Sequence, residues 1–333
     1  NSANAAPGWT FQLAAEDDQA SADVGRNAAT KLAADAGVLG VVGPLNSSVG
    51  QAVAPIYNSA NIVLISPANT NPSLTRGADP ANPKRPYASY FRTCTTDDVQ
   101  GPFAAQYVLG AGFTQAATVH DKKIYGQGLV ENFTKALQSG GGTIVAAETI
   151  NPDDKDFSAV IAKIKTFNPK ILYYGGEYPQ AGPLSQQMKS AGLNIPLIGG
   201  DGIFDPKFIS LAGPAAEGDL ATNVGAPPEK LPGAAAFVKA YQDAGYSESY
   251  GAYGMYAYDA ANAIIKAAAV ALQNAADVAT ARRAEMDAVS KTNFQGATGT
   301  VAFDAFGDAK TRVLTVYEVT GGAWTAKLTQ DFQ

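Results

Sequence analysis

The sequence predicts an α/β protein of doubly wound architecture, divided into two domains. Three observations carry this. The chain has 333 residues, more than one hydrophobic core usually serves, and 46% of them are apolar. Short apolar runs closed by Gly, Pro, Asn or Ser recur along its whole length. Between the runs lie stretches of helical period, and such alternation implies parallel strands joined by right-handed crossover helices.

In chain order, the stretch 20–32 places Ala20, Val24, Ala28 and Leu32 on one helical face. The runs 38–42 and 62–65 read as buried parallel strands. A Pro-rich loop, 80–86, leads to a short strand at 90–93. Strands at 116–119, 144–147, 171–174 and 195–198 then alternate with helical stretches at 127–137, 157–167 and 181–191. A further strand lies near Leu220, and the segment APPEKLP (226–232) separates it from a long helical region, about 233–274. The aromatic-rich segment 246–258 opens a long helix there. Its rings suit a core, though one or two tyrosines are placed to line a cleft. The tail reverts to strands at 300–303, 313–319 and 324–328, with Gly321-Gly322 as a hairpin turn. Strands that follow helices this late imply that the chain returns to sheets begun earlier.

Composition excludes several functions. A formal charge of −6 with no Lys/Arg cluster speaks against nucleic acid or an anionic membrane as partner. Cys94 is the only cysteine, so neither an intrachain disulfide nor a cysteine-rich metal site is possible. His120 is the only histidine, which excludes metal sites built on several histidines; a triad base there would need partners the sequence does not announce. No GxGxxG follows the first strand, and GxxxxGK[ST], GxSxG and HExxH are missing. We therefore expect no enzyme activity, no cofactor and no metal. The apolar stretches, such as 38–45, are too short to span a bilayer. The chain opens at Asn1 in a polar, Ala-rich stretch with no secretory segment, as a processed or trimmed protein would.

In open α/β sheets ligands sit beyond the carboxyl ends of strands, beside helix N-termini. The first such end carries Gly43-Pro44-Leu45-Asn46-Ser47-Ser48, where serines and free backbone N–H groups suit a carboxylate and suit helix capping equally. The second carries Ser66-Pro67-Ala68-Asn69-Thr70-Asn71-Pro72, a polar loop that by itself reads as a turn. The third ends in His120-Asp121-Lys122-Lys123-Ile124-Tyr125, where the histidine reads as structural while Asp121 and Tyr125 are placed to face a cleft. Gly175-Gly176-Glu177 and Gly199-Gly200-Asp201 close two more strands. Carboxylates flanked by glycines there can approach a ligand amine or cap the next helix.

Taken in order, the strings VVGPLNSSVGQAVAPIYNSANIVLISPANTNPSLT, VHDKKIYGQGL, DFSAVIAKIK, YYGGEYPQAG and GDGIFDPKFISLAGPAAEG resemble the branched-chain (Leu/Ile/Val) amino-acid-binding proteins of ABC transporters. The resemblance runs from about Asp17 to the C-terminus and implies the type I periplasmic, Venus-flytrap fold. That fold has two Rossmann-like lobes joined by three crossovers, with a solute enclosed as they hinge shut. The lobes are expected at 1–96 plus 224–305 and at 97–223 plus 306–333. On matching positions, Ser47 would hold a ligand carboxylate and Thr70 would meet carboxylate and amine. The Ala68 carbonyl would accept from the ammonium, with Asn69 in the same loop. Tyr125 would cover the ligand, Asp201 would pair with the ammonium, and Tyr253 would join the side-chain wall.

Three departures qualify this. Glu177 stands where the family carries an aromatic residue, and a buried carboxylate facing an aliphatic side chain costs several kcal/mol unless paired. The family's first strand and helix have no counterpart before Trp9, so a longer natural chain is expected. Cys94 lies outside the paired-cysteine positions of Gram-negative members. The expected function is an extracytoplasmic receptor, periplasmic or anchored as a cell-surface lipoprotein, that binds a small branched-chain or other neutral amino acid. It would act as a monomer and pass the ligand to membrane permease subunits. The alternative is a sensor domain for another small carboxylate, an amide or a cationic amino acid.

Overall fold

The apolar runs become two helix-covered sheets, of three and seven strands, and a separate two-stranded hairpin. In the computed structural model, residues 6–273 and 275–332 are described. They divide into two units. Unit 1 runs to Thr96 and resumes from Pro228 to Thr311; unit 2 spans Asp97–Pro227 and resumes at Arg312.

The first leg of unit 1 contains α1 (Ala22–Ala34), β1 (Gly40–Val42), α2 (Ser47–Ser59), β2 (Val63–Ser66), α3 (Ser73–Arg76) and β3 (Tyr90–Arg92). The strands pair in parallel in the order β1-β2-β3. Unit 2 follows with α4 (Asp97–Gly110), β4 (Gln115–His120), α5 (Ile124–Ser139), β5 (Thr143–Thr149), α6 (Ser158–Lys165), β6 (Ile171–Gly175), α7 (Tyr178–Ser190), β7 (Leu197–Gly199), α8 (Pro206–Ala212) and β8 (Leu220–Val224). The second leg of unit 1 supplies α9 (Ala234–Asp243), α10 (Gly254–Ala271), α11 (Val278–Ser290) and the hairpin β9 (Asn293–Gly296) and β10 (Gly299–Ala302). Finally β11 (Val313–Thr320) and β12 (Ala323–Asp331) complete the unit 2 sheet, in the order β12-β11-β8-β7-β6-β4-β5. Gly321 and Gly322, both at positive φ, make the β11–β12 turn that the sequence predicts.

Period-2 side-chain alternation explains the layers. Val63 and Ile65 of β2 pack with Ala260, Ile264 and Val289 from α10 and α11. Ile62 and Leu64 turn the other way, onto Ala29, Val49, Val53 and Tyr57. In unit 2, Leu172 and Tyr174 join the core with α6, α7 and α8, while Tyr173 stacks flat on Phe133 of α5 at 3.7 Å between ring centroids. Each such buried aliphatic side chain contributes about 2 kcal/mol of transfer free energy.

Several elements differ from the sequence reading. The long helical region is two helices, because Gly245 and Gly251 adopt φ of 69° and 59° and turn the chain between α9 and α10. The segment 246–258 therefore forms that turn and the start of α10. Tyr250 packs edge-on against Phe237, while Tyr246 is 66% exposed. Residue 274, the end assigned to that region, lies outside the described residues. The strands β1 and β5 are not fully buried, since each pairs on one flank only among the described residues. The helices α4 and α11 and the strand β9 have no counterpart in the sequence reading. The second and third joints fall after Pro227 and Thr311, a few residues beyond those expected. Gly225 N still bonds to Val313 O within unit 2, and Asp308 pairs with Arg76 and Arg92 within unit 1.

Candidate functional site

The loops at the carboxyl ends of the strands form two polar clusters, one in each unit. In unit 1 the loop after β2 is built on the loop after β1. The Ser66 hydroxyl donates to Pro44 O at 2.8 Å and accepts from the N–H groups of Ala68 and Asn69 at 3.2 and 2.9 Å. The Asn69 amide donates to Pro44 O and Leu45 O at 3.1 and 2.7 Å, and its oxygen accepts from the Tyr90 hydroxyl at 2.8 Å. Asn69 thus ties the two loops together.

Beneath them lies Arg92 of β3, fully buried. Its guanidinium donates to Asn69 O, to Asn71 O at 3.0 Å and to Thr75 Oγ1 at 2.8 Å, and it pairs with Asp308 at 2.9 Å. The fork geometry of arginine lets one side chain draw two loop carbonyls, two residues apart, inward. Ser47 opens α2 as its first helical residue; Asn46 holds the cap position and makes no side-chain cap bond. The Ser47 hydroxyl accepts from Asn71 N at 3.4 Å. The first N–H groups of any α-helix have no acceptor inside the helix, so α2 presents donors at this end. Thr70 is fully buried, and its hydroxyl has no hydrogen-bond partner among the described residues. A buried orphan hydroxyl costs free energy unless something outside the fold pairs with it.

In unit 2 the organising group is a carboxylate. Asp201 is 3% exposed and opens a short 3₁₀ turn after β7. One carboxylate oxygen accepts from the Tyr125 hydroxyl at 2.8 Å and from Gln100 Nε2 at 3.0 Å. Gln100, on α4, also accepts from Asp201 N at 2.8 Å and from the Thr222 hydroxyl at 2.9 Å. Gly202 N donates to the Tyr125 hydroxyl at 2.9 Å. This closeness requires glycine at position 200, where a Cβ would sit 2.6 Å from Tyr125 Oη and 2.7 Å from Gln100 Oε1.

Beside this cluster, Asp121 is buried and accepts from Lys123 N at 3.0 Å. Burial pushes its carboxyl up to about 6. Lys123 Nζ lies 3.4 Å from Glu177 Oε2, both side chains partly exposed. Glu177 occupies the cap position of α7 without a side-chain cap bond. The Gly176 carbonyl adjoins Gly202, where a Cβ would come within 2.8 Å of it. His120 Nδ1 accepts from Lys122 N at 3.1 Å, ordering the strand end.

The structure therefore brings Ser47, Ala68, Asn69 and Thr70 together in unit 1, and Tyr125, Glu177 and Asp201 together in unit 2. Tyr253 lies apart in sequence, half-buried at the cap of α10 in unit 1. Three residues of these clusters escape sequence reading. Arg92 looks like a charge at a strand end, Gln100 lies on an unpredicted helix, and Lys123 is one of two adjacent lysines. The available signal is Arg92 itself, a charge that directly follows the aromatic residues of a short strand.

Polar loops beyond the carboxyl ends of parallel strands are where open α/β sheets hold small solutes, and comparison with known proteins places the chain among solute-binding proteins. The chain belongs to the periplasmic binding protein family, whose model matches residues 1–323. It is 36% identical over 326 residues to a Leu/Ile/Val-binding protein homolog of Brucella melitensis biotype 1, covering 97% of this chain and 83% of that one. It is 33% identical over 283 residues to a leucine-, isoleucine-, valine-, threonine- and alanine-binding protein of Pseudomonas aeruginosa, covering 85% and 72%. Its fold superposes with a TM-score of 0.85 on a leucine-binding protein of Thermotoga maritima at 27% identity, covering 97% of this chain and 88% of that one.

Proposed function

We propose that this chain is the extracytoplasmic receptor of an ABC transporter, acting as a monomer without catalysis, and that its ligand is a small neutral α-amino acid. The observation that carries the reading is the opposite chemistry of the two clusters. Unit 1 offers donors: the α2 N-terminus, Ser47 and the orphan hydroxyl of Thr70. Unit 2 offers the buried carboxylate of Asp201, with Tyr125 fixed against it. A zwitterion needs both, its carboxylate toward helix N–H groups and its ammonium toward an acid.

Ala68 would accept from the ammonium through its carbonyl, Asn69 would position the loop, and Tyr253 would line the side-chain wall. Enclosure of the ligand by hinge closure follows from the same assignment. The names of the Brucella and Pseudomonas relatives support an amino-acid ligand. Pairing of Glu177 with Lys123 supports a neutral ligand over a cationic one, because Glu177 already has a counter-charge. Isothermal titration against the twenty amino acids tests the proposal: at least one neutral member should bind with 1:1 stoichiometry, and silence from all of them sinks it.

A further inference from the structure

Unit 2 contains a polar group that the amino-acid backbone does not use. Tyr174, near the end of β6, is fully buried, yet its hydroxyl has no hydrogen-bond partner among the described residues. Gly176, at φ of 154°, lets the chain wrap around that hydroxyl; a Cβ there would collide with it. Burial, with Asp121 and Glu177 nearby, holds the phenol well above its ordinary range, so it is a donor at any physiological pH. The same strand ends carry the Lys123–Glu177 ion pair and the buried Asp121, all within unit 2. Donors and acceptors thus cluster at these strand ends, and one of them, the Tyr174 hydroxyl, would stay unanswered beside an aliphatic ligand side chain.

Resting on the amino-acid reading above, we propose that Tyr174, Lys123, Glu177 and Asp121 form a polar subsite for the hydroxyl or carboxamide end of a neutral polar amino acid. Such an end accepts from the Tyr174 hydroxyl or the Lys123 ammonium and donates to a carboxylate. It completes pairings that leucine cannot. A fully charged end is disfavoured, since Lys123 and Glu177 already neutralise each other and an added charge would leave one member uncompensated.

The test is titration calorimetry of the full chain with L-threonine, L-glutamine and L-leucine, repeated on Tyr174→Phe and Glu177→Leu. L-threonine or L-glutamine should bind at least about tenfold tighter than L-leucine, because a polar site rejects partners that leave its groups unpaired. Tyr174→Phe should erase most of that preference, bringing L-threonine and L-glutamine to within about twofold of L-leucine. Glu177→Leu, on a partly exposed side chain and so safe for folding, should shift preference toward L-leucine. Equal or tighter binding of L-leucine by the unmodified chain overturns the subsite and leaves the amino-acid reading intact. So does a uniform loss for all three ligands in the variants. Silence from every ligand overturns both.

Discussion

The two strand-end clusters solve one problem, holding polar loops in place, with buried charges of opposite sign. In unit 1 a buried cation, Arg92, draws the carbonyls of residues 69 and 71 inward, which fits the loops to show hydroxyls and N–H groups outward. In unit 2 a buried anion, Asp201, gathers O–H and N–H donors around itself and, in the proposed assignment, is itself the group offered. In both units the polarity turned outward has the sign of the hub: donors over the hidden cation of unit 1 and, in the proposed assignment, an acceptor where the anion of unit 2 is itself offered. A second contrast concerns structural carboxylates. Asp219 of unit 2 is buried but met by Ser185, Lys189 and Leu197 N. Glu285 of unit 1 is equally buried, and neither oxygen has a hydrogen-bond partner among the described residues. Burial pushes Glu285 up to about 9.

Removing the hub of unit 1 should have the largest effect. Arg92→Met leaves Asp308 short of a buried partner and two loop carbonyls unbonded, and should cost about 3–5 kcal/mol in urea unfolding. Stability unchanged within error would show that the loops hold themselves. Next, Glu285→Leu should stabilise by on the order of 3 kcal/mol at pH 8. The sign follows from proton uptake: the native acid is protonated up to about 9 while the unfolded one ionises near 4.5, so stability falls as pH rises between those values. The variant should flatten that slope in thermal melts from pH 5 to 9.

Asp201→Asn keeps an acceptor for Tyr125 but removes the charge. It should weaken amino-acid binding by about 2–3 kcal/mol in calorimetry with little change in melting temperature. The smallest effect should come from Thr70→Val. Affinity should drop by about 1 kcal/mol, roughly fivefold, while stability holds or rises because an orphan hydroxyl is gone. If Thr70→Val destabilised the fold instead, the hydroxyl would belong to the scaffold.

Much of the fold is legible because parallel strands announce themselves: 62–65 and 171–174 are apolar runs with breakers at their ends. The helix α4 is not, since it buries Val99, Gln100, Gly101, Phe103, Ala104 and Ala105 on nearly all sides and so lacks an amphipathic stripe. The helix α11 hides for a different reason: Glu285 occupies a buried position where the pattern calls for an apolar residue. In the site, strand-end residues such as Thr70 and Asp201 stand out by position. Gln100 and Arg92 do not, because their importance lies in which carbonyl or carboxylate they reach, and reach depends on packing between elements distant in sequence. Resemblance to the family locates Glu177, yet only the coordinates supply its partner, Lys123.

The chain visits unit 1, unit 2, unit 1 and unit 2 again, and this nesting sets an order on synthesis. The described elements of unit 1 have all been made once Thr311 has emerged. At that moment β8, the fully buried strand Leu220–Val224, still lacks its neighbour β11 and presents a bare hydrogen-bonding flank. For the interval needed to make the last two strands, the nascent chain therefore carries one finished lobe beside an adhesive edge. A ribosome stalled before Arg312 would release a protein prone to strand-swapping with its neighbours.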